Sequence, residues 1–246
     1  MAGPRAAPDL AVLKGGRGAI LPVAERLFGQ HGLEGVSLRQ VNLAAGMGNN
    51  SAIAYHFGDK AGLVRAIYEW RLPALELARA GLVQQARRSG CADDPLTLIG
   101  IMVRPFFELI DEDGRRAHAM FMHQMMRSPD GRAIRVNMNN MSPLSDWART
   151  EFAAALHHIP VPLLEYRLRL ATISFLDALA EWERSGTLEL DEACFLEEQL
   201  NMMAALCTLP VPPRLRAHFS RHAADIRVKA DNPGTLNQER SDDRSG

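Results

Sequence analysis

The apolar residues of this chain recur three and four positions apart, and this spacing is the feature that most constrains its fold. One side of a helix from Ala19 onward carries Ile20, Val23, Ala24, Leu27 and Phe28. Similar stretches follow along the chain, strictly alternating polar and apolar runs are absent from the sequence, and breaks fall at Gly or Pro. The sequence therefore predicts an all-α fold.

Three short helices are predicted near the N-terminus. The first begins near Gly18, because Pro22 is best tolerated in a first turn, and it ends at Gly32. The second opens at Ser37, which forms a capping-box pattern with Gln40, and ends before a turn at Gly46.

The third helix is expected from about Asn50 to Phe57, with Ile53, Phe57 and Met47 facing inward. Two short helices joined by a glycine turn are the sequence form of a helix-turn-helix, whose second helix enters the major groove of DNA. The outward residues suit this role, because Asn49, Asn50 and Ser51 can bond base edges, while Ala52 and Ala54 leave room or contact a thymine methyl. The alternative is a solvated turn in an ordinary helical bundle.

The segments Ile20 to Phe28 and Tyr55 to Leu63, with Gly32, Ser37 and Ala45-Gly46 between them, resemble the TetR (tetracycline-repressor-like) family of bacterial transcription regulators. The resemblance covers roughly residues 17–65. It implies that Ser37, Tyr55 and Lys60 contact phosphates and that His56 either does so or packs on the first helix. The predicted DNA-binding set is Ser37, Arg39, Asn49, Asn50, Ser51, Ala52, Ala54, Tyr55, His56 and Lys60.

Three features depart from the usual pattern of that family. The segment from Met47 to Phe57 is one residue longer, Ala54 replaces a frequent aromatic residue, and Asn42 stands where a small apolar residue is usual. Base contacts of the commoner pattern are therefore not transferred one for one.

The chain divides into four parts in this interpretation. Residues 1–16 form a flexible arm, 17–65 the DNA-binding domain, 66–228 a larger helical unit, and 229–246 a disordered tail. The larger unit begins with a long helix after Gly58-Asp59 that Pro73 is expected to kink. Further helices are predicted over residues 95–111, 115–127, 131–139, 143–158, 162–184 and 191–209.

The family places a ligand pocket and a homodimer interface in this larger unit. Flexible Met and aromatic side chains suit a small, largely apolar effector, although such residues also fill ordinary cores. The predicted ligand-binding set is Met102, Phe106, Phe121, Met122, Met125, Met138, Met141 and Trp147. The predicted dimer set consists of apolar stripes on the last two long helices, and burial within one chain would also explain part of each stripe. The residues of this set are Leu168, Thr172, Phe175, Leu176, Leu179, Met202, Met203 and Leu206.

Composition adds limits on partners and location. The net charge is −1, but residues 1–65 contain seven Lys/Arg against four Asp/Glu. The sequence lacks a long apolar span, a signal peptide and a cysteine framework, so a cytoplasmic protein without membrane contact is expected.

The expected partners are palindromic duplex DNA, a second copy of the chain and an unidentified small apolar effector. Neither a cofactor nor a metal is predicted, because the pairs His118/His123 and His157/His158 do not place two imidazoles on one helical face. Enzyme motifs such as HExxH, GxSxG and a phosphate-binding loop are absent from the sequence, so no enzyme is expected. The alternatives are a helical protein-binding adaptor without DNA binding and, less favoured, a helical enzyme.

Overall fold

The computed structural model describes residues 5–6, 16–47, 52–136, 141–185 and 189–221. The N-terminal unit contains α1 (Gly16–His31), α2 (Leu38–Ala44) and α3 (Ala52–Phe57), followed by the long α4 (Lys60–Arg88). The larger unit continues with α5 (Pro95–Glu108), α6 (Ala117–Arg127), α7 (Pro129–Val136), α8 (Pro143–Ala155), α9 (Val161–Ser185) and α10 (Glu192–Thr208). Residues 213–221 are also helical.

The predicted all-α class is confirmed, with one small addition. Strand β1 (Arg5–Ala6) pairs in parallel with β2 (Leu109–Ile110), so the described residues of the N-terminal arm lie beside the segment that follows α5. Sequence periodicity does not reveal this strand pair because each strand has only two residues. None of the helices that the structure describes is long and apolar enough to cross a membrane.

Two helices contain an internal proline. Helix α1 begins at Gly16, two residues before the predicted start, and continues through Pro22. Pro22 lacks only the hydrogen bond to the carbonyl of Gly18 near the helix start, so the helix tolerates it there. Helix α4 also runs through Pro73 as one element of 29 residues, and the kink expected there stays a prediction.

Local signals in the sequence set the other helix ends. Asp59, Asp94 and Asp191 cap α4, α5 and α10 by accepting hydrogen bonds from backbone N–H groups in the first turn. Gly32, Gly46 and Gly58 have positive φ, as the turns after α1, α2 and α3 require.

Helix α1 connects the two units. Its apolar residues Ile20, Leu21, Ala24 and Phe28 are buried, and the helix packs closely on α6. At Gly29 a Cβ would lie 3.1 Å from both Met120 Cβ and the Phe121 backbone nitrogen. The glycine therefore permits the close approach of α1 and α6, which joins the N-terminal unit to the larger one.

An ion pair within α4 holds the start of α8. The guanidinium of Arg79 on α4 donates to Glu76 at 2.9 Å and to the Ser142 hydroxyl at 3.0 Å. The second oxygen of Glu76 accepts the backbone N–H of Leu144 at 2.9 Å, so this carboxylate caps α8 in place of the Ser142 side chain. These contacts fix α8 against α4.

Candidate nucleic-acid interface

The start of α2 is fixed by a reciprocal cap. The Ser37 hydroxyl accepts the backbone N–H of Gln40 at 3.2 Å, and the Gln40 side-chain oxygen accepts the backbone N–H of Ser37 at 2.8 Å. The predicted capping box is therefore confirmed. Its residues and Arg39, in the first turn of α2, are exposed. Exposed donors at a helix start are positioned to contact a phosphate.

Helix α3 presents opposite faces to the core and to solvent. Ile53 is buried, and Phe57 and Met47 pack on the core as predicted. On the other side Ala54 is exposed, and the Tyr55 side chain is 85% exposed. An aromatic ring left this open on a short helix is available to a partner. The predicted base-reading residues Asn49, Asn50 and Ser51 lie outside the described residues, as does the side chain of Ala52.

His56 packs at the start of α1. Its Nε2 lies 3.1 Å from the position that a Cβ at Gly16 would take, and its ring meets that of Tyr55 edge-on at 5.0 Å. Of the two roles left open by the sequence, the geometry favours packing against the first helix. Gly16 leaves the space for this imidazole.

Two cations lie over aromatic rings at the edge of the unit. The Lys60 ammonium is 5.8 Å from the centre of the Phe28 ring, and the Arg17 guanidinium is 5.1 Å from the centre of the Phe57 ring. Such contacts orient a cation without neutralising it. The carboxylate of Glu34 also interacts electrostatically with Lys60. A phosphate contact by Lys60 stays a prediction.

Comparison with known proteins agrees with this geometry. Residues 20–67 match the family described as "Bacterial regulatory proteins, tetR family". The N-terminal unit is a TetR-family helix-turn-helix domain. The chain is also similar to the HTH-type transcriptional regulator AcrR of Shigella flexneri, with 36% identity over 98 residues. That match covers 39% of this chain and 43% of the relative's length.

The TetR-family domain is joined to the larger unit by a buried cluster that the sequence analysis missed. Arg71 on α4 donates from Nε to both carboxylate oxygens of Glu25 on α1, at 2.9 and 3.1 Å, and from Nη2 to one of them. His118 Nδ1 on α6 lies 2.8 Å from the same carboxylate. The sequence does contain one indication that these two charges are buried. Glu25 and Arg71 each stand four positions after an apolar residue of a buried helical face.

Protonation in this cluster follows from burial and pairing. Burial alone would raise the pKa of Glu25, but hydrogen bonds from His118 and Arg71 outweigh it and hold the pKa below its ordinary value. Burial lowers the pKa of His118 by more than the nearby carboxylate raises it. At neutral pH, Glu25 is therefore ionised and His118 is neutral, with Nδ1 donating its proton to the carboxylate.

The residues predicted to bind an effector are mostly part of the core. Phe121, Met122 and Met125 are buried, Met102 is 8% exposed, and Phe106, Met141 and Trp147 are half-buried against the same core. Met138 lies outside the described residues. A groove of about 340 Å³ between α4, α5 and α10 is lined by other residues, among them Leu82, Ile101 and Leu200. The Met-rich set stays a prediction.

The predicted dimer stripes divide by exposure. Phe175, Leu176, Leu179 and Met203 are at most 3% exposed within one chain, so they belong to the intrachain core and cannot gain burial from a second copy. This corrects their assignment to an interface. Leu168, Thr172 and Leu206 are half-buried, and Met202 is 51% exposed. The surface that remains for a partner is the outer edge of α9 and α10.

Proposed function

We propose that this chain binds duplex DNA sequence-specifically as a homodimer and represses transcription until a small, largely apolar effector releases it. The observation that carries the proposal is the outer face of α3. Tyr55 is open to solvent on a helix whose other face is anchored by buried Ile53, within the segment that matches the tetR family. The similar Shigella protein is named as a transcriptional regulator, which agrees with the proposal.

Charge on this surface suits contacts with the DNA backbone. Arg17, Arg39 and Lys60 are exposed or half-exposed around α2 and α3. Of the acidic residues described in this unit, Glu25 is buried against Arg71, which leaves the exposed carboxylates of Glu34 and Asp59. The three cations therefore outnumber the exposed carboxylates, a balance that suits phosphate contacts.

Release by an effector requires a physical link between the larger unit and the recognition helix. Helix α4 begins three residues after α3 ends and continues into the larger unit, while α1 packs on α6. An effector that binds more tightly to an arrangement of these helices that binds DNA poorly lowers the affinity for DNA. By linkage, DNA lowers the affinity for the effector by the same free energy, typically about 1–3 kcal/mol.

Selection of bound sequences from random duplexes by the full chain tests the proposal. We expect enrichment of an inverted repeat whose half-site centres lie about 34–36 Å apart or a multiple of that. Tyr55→Ala should remove the enrichment, and Leu77→Ala, which changes an exposed side chain on α4, should retain it. No enriched inverted repeat with the unmodified chain would contradict sequence-specific binding by a dimer and favour the adaptor alternative.

A further inference from the structure

The groove of about 340 Å³ between α4, α5 and α10 is separate from the predicted Met-rich set. Its apolar walls come from all three helices: Leu82 and Ala86 on α4, Leu96 and Ile101 on α5, and Leu200 on α10. Volumes of this size are typical of small-molecule sites. At about 30 Å³ for each water-sized group, the groove holds a chain of roughly ten carbon atoms.

Gly100 keeps the groove open at the middle of α5. Leu96, Gly100 and Arg104 stand four positions apart, so they form one stripe of the helix, about 12 Å long at 1.5 Å per residue. A Cβ at Gly100 would lie 3.5 Å from Arg104 Cδ and 4.0 Å from Leu200 Cδ1. These are ordinary contact distances, so a side chain at this position would take up space that the glycine leaves to a ligand.

Arg104 gives one end of the groove a positive charge. Of the described residues that line the groove, it alone carries a formal charge. Its side chain is 42% exposed and its Nε is buried, so its accessible polar surface belongs to the two terminal nitrogens. Glu108 lies 3.5 Å from Nε, and a guanidinium can face a second carboxylate with its terminal nitrogens. Charge complementarity therefore favours an anionic head group at this end.

The opposite end of the groove carries a thiol. Cys91 is exposed and lines the groove. Its carbonyl accepts the backbone N–H of Asp94 at 3.2 Å, just before α5 begins, whereas Arg104 stands about two and a half turns along that helix. The thiol can therefore report whether the groove is filled as far as this end.

We propose that this groove binds a medium-chain aliphatic carboxylate, such as decanoate, with its carboxylate on the terminal nitrogens of Arg104 and its chain along Gly100 towards Cys91. Helix α4 connects the groove to the recognition helix, so this ligand changes DNA affinity, and that consequence rests on the proposed function. The binding itself does not depend on DNA.

Titration of the full chain with three probes below their micelle-forming concentrations tests the chemistry. Decanoate has the chain and the anionic head group, decylamine exchanges the head group for a cation, and butanoate shortens the chain. We expect saturable binding of decanoate and at least about tenfold weaker binding of the other two. Equal binding of decylamine, or no saturable binding of decanoate, would overturn the proposal.

Two substitutions at the charged end should act in opposite directions. Arg104→Gln should weaken decanoate binding at least about tenfold and remove the preference over decylamine, whereas Glu108→Gln, which removes the competing carboxylate, should strengthen it. The matched control is Arg149→Gln on α8, because Arg149 is 45% exposed and also pairs with a carboxylate of its own helix. Equal decanoate binding by Arg104→Gln and Arg149→Gln would refute the assigned head-group contact.

The rate at which iodoacetamide alkylates Cys91 locates the ligand. It is measured in Cys194→Ser, because Cys194 is also exposed, whereas Cys207 is buried. Decanoate should slow the alkylation saturably, over the concentrations that the titration gives. Gly100→Leu, with its helical content checked by circular dichroism, should lose decanoate binding, and Gly81→Ala, at an open position of α4, should retain it. Binding of decanoate without protection of Cys91 would place the ligand elsewhere and refute the site.

A second copy of the chain is the competing occupant of the groove. In that case Cys91 would become protected as the protein concentration rises without decanoate, and the proposal would be wrong.

Operator selection without decanoate is a separate experiment. If it fails while decanoate protects Cys91, the proposed function is wrong and the groove proposal stands. If it succeeds while decanoate does not bind, the DNA-binding function stands and the groove proposal is refuted.

Discussion

The imidazole of His118 and the carboxylate of Glu25 lie 2.8 Å apart, and both side chains are completely buried. Their hydrogen bond joins α6 of the larger unit to α1 of the TetR-family domain. The ring of His118 also contacts those of Phe106 and Phe121, whose centres are each 5.9 Å from its own. His118 Nε2 is buried and has no hydrogen-bond partner among the residues that the structure describes, which fits a neutral ring whose proton is on Nδ1.

This contact predicts a loss of stability in mild acid. The folded pKa of His118 lies below the ordinary value of 6.5, so the unfolded chain takes up a proton first as pH falls. The stabilisation is complete above about pH 6.5 and declines below it. The pKa of Glu25 is also lowered, from 4.5, so its contribution begins to fall only in stronger acid.

We therefore expect the urea midpoint to fall more steeply between pH 7 and pH 5 in the unmodified chain than in His118→Gln. Glutamine can still donate to Glu25 but does not titrate. The control His157→Gln changes an exposed histidine and should keep the steep profile. Parallel profiles for His118→Gln and the unmodified chain would show that His118 does not cause the effect.

The buried pair of Glu25 and Arg71 predicts a large effect on stability. Glu25→Gln leaves the guanidinium buried without a counter-charge, which should lower the free energy of unfolding by about 3–5 kcal/mol. The matched control is Arg26→Ala, one position along α1. The side chains of Arg26 and Asp113, which form an ion pair, are 41% and 51% exposed. Loss of this pair should therefore lower the free energy of unfolding by only about 0–1 kcal/mol. Urea unfolding measures both, and equal losses would contradict this account of the cluster.

Replacing two helical glycines by alanine is expected to change stability in opposite directions. Gly29→Ala places a Cβ 3.1 Å from the backbone of α6, so the helices must separate and stability should fall by about 1–3 kcal/mol. Gly81→Ala, in α4, meets no atom within 4 Å and should stabilise the chain by about 0.5–1 kcal/mol. Thermal unfolding compares them, and a neutral Gly29→Ala would show that the α1–α6 contact is looser than described.

The sequence was sufficient for the helices and their caps because these depend on neighbours within a few residues. Ser37, Asp59 and Gly46 have the roles that their types and spacing predict. Contacts distant in sequence were not predictable in this way. Glu25 and His118 are 93 residues apart, and nothing local indicates that they share a hydrogen bond.

The same limit explains why residues of the intrachain core were predicted to lie at the dimer interface. A helical stripe of apolar residues shows that a face is buried, but not whether the same chain or a second copy buries it. The described structure assigns Phe175 and Leu179 to the intrachain core, because α9 packs against both α6 and α10.

DNA binding predicts different roles for two residues of the TetR-family domain. Lys60→Ala should weaken binding to all sequences and flatten the log–log salt dependence by about 0.9, as loss of one phosphate contact requires. Asn50→Ala should instead relax base preference. The control Arg88→Ala changes an exposed cation at the other end of α4, about 40 Å away at 1.5 Å per residue, and should have neither effect. Indistinguishable behaviour of Lys60→Ala and Asn50→Ala would mean that their roles are misassigned.

The last prediction concerns the dimer surface. Met202 is half-exposed on α10, so a carboxylate at this position stays solvated in a monomer. If a partner covers it, the carboxylate is buried without a counter-charge, which costs on the order of several kcal/mol. Met202→Glu should give a folded monomer that loses most operator affinity, because one half-site cannot supply the affinity of two. Leu77→Glu, on a 70% exposed position of α4, should remain dimeric, whereas Phe175→Glu should lose helical content because it charges the core. Sedimentation velocity and circular dichroism separate these outcomes, and a Met202→Glu chain that stays dimeric would place the interface elsewhere on the molecule.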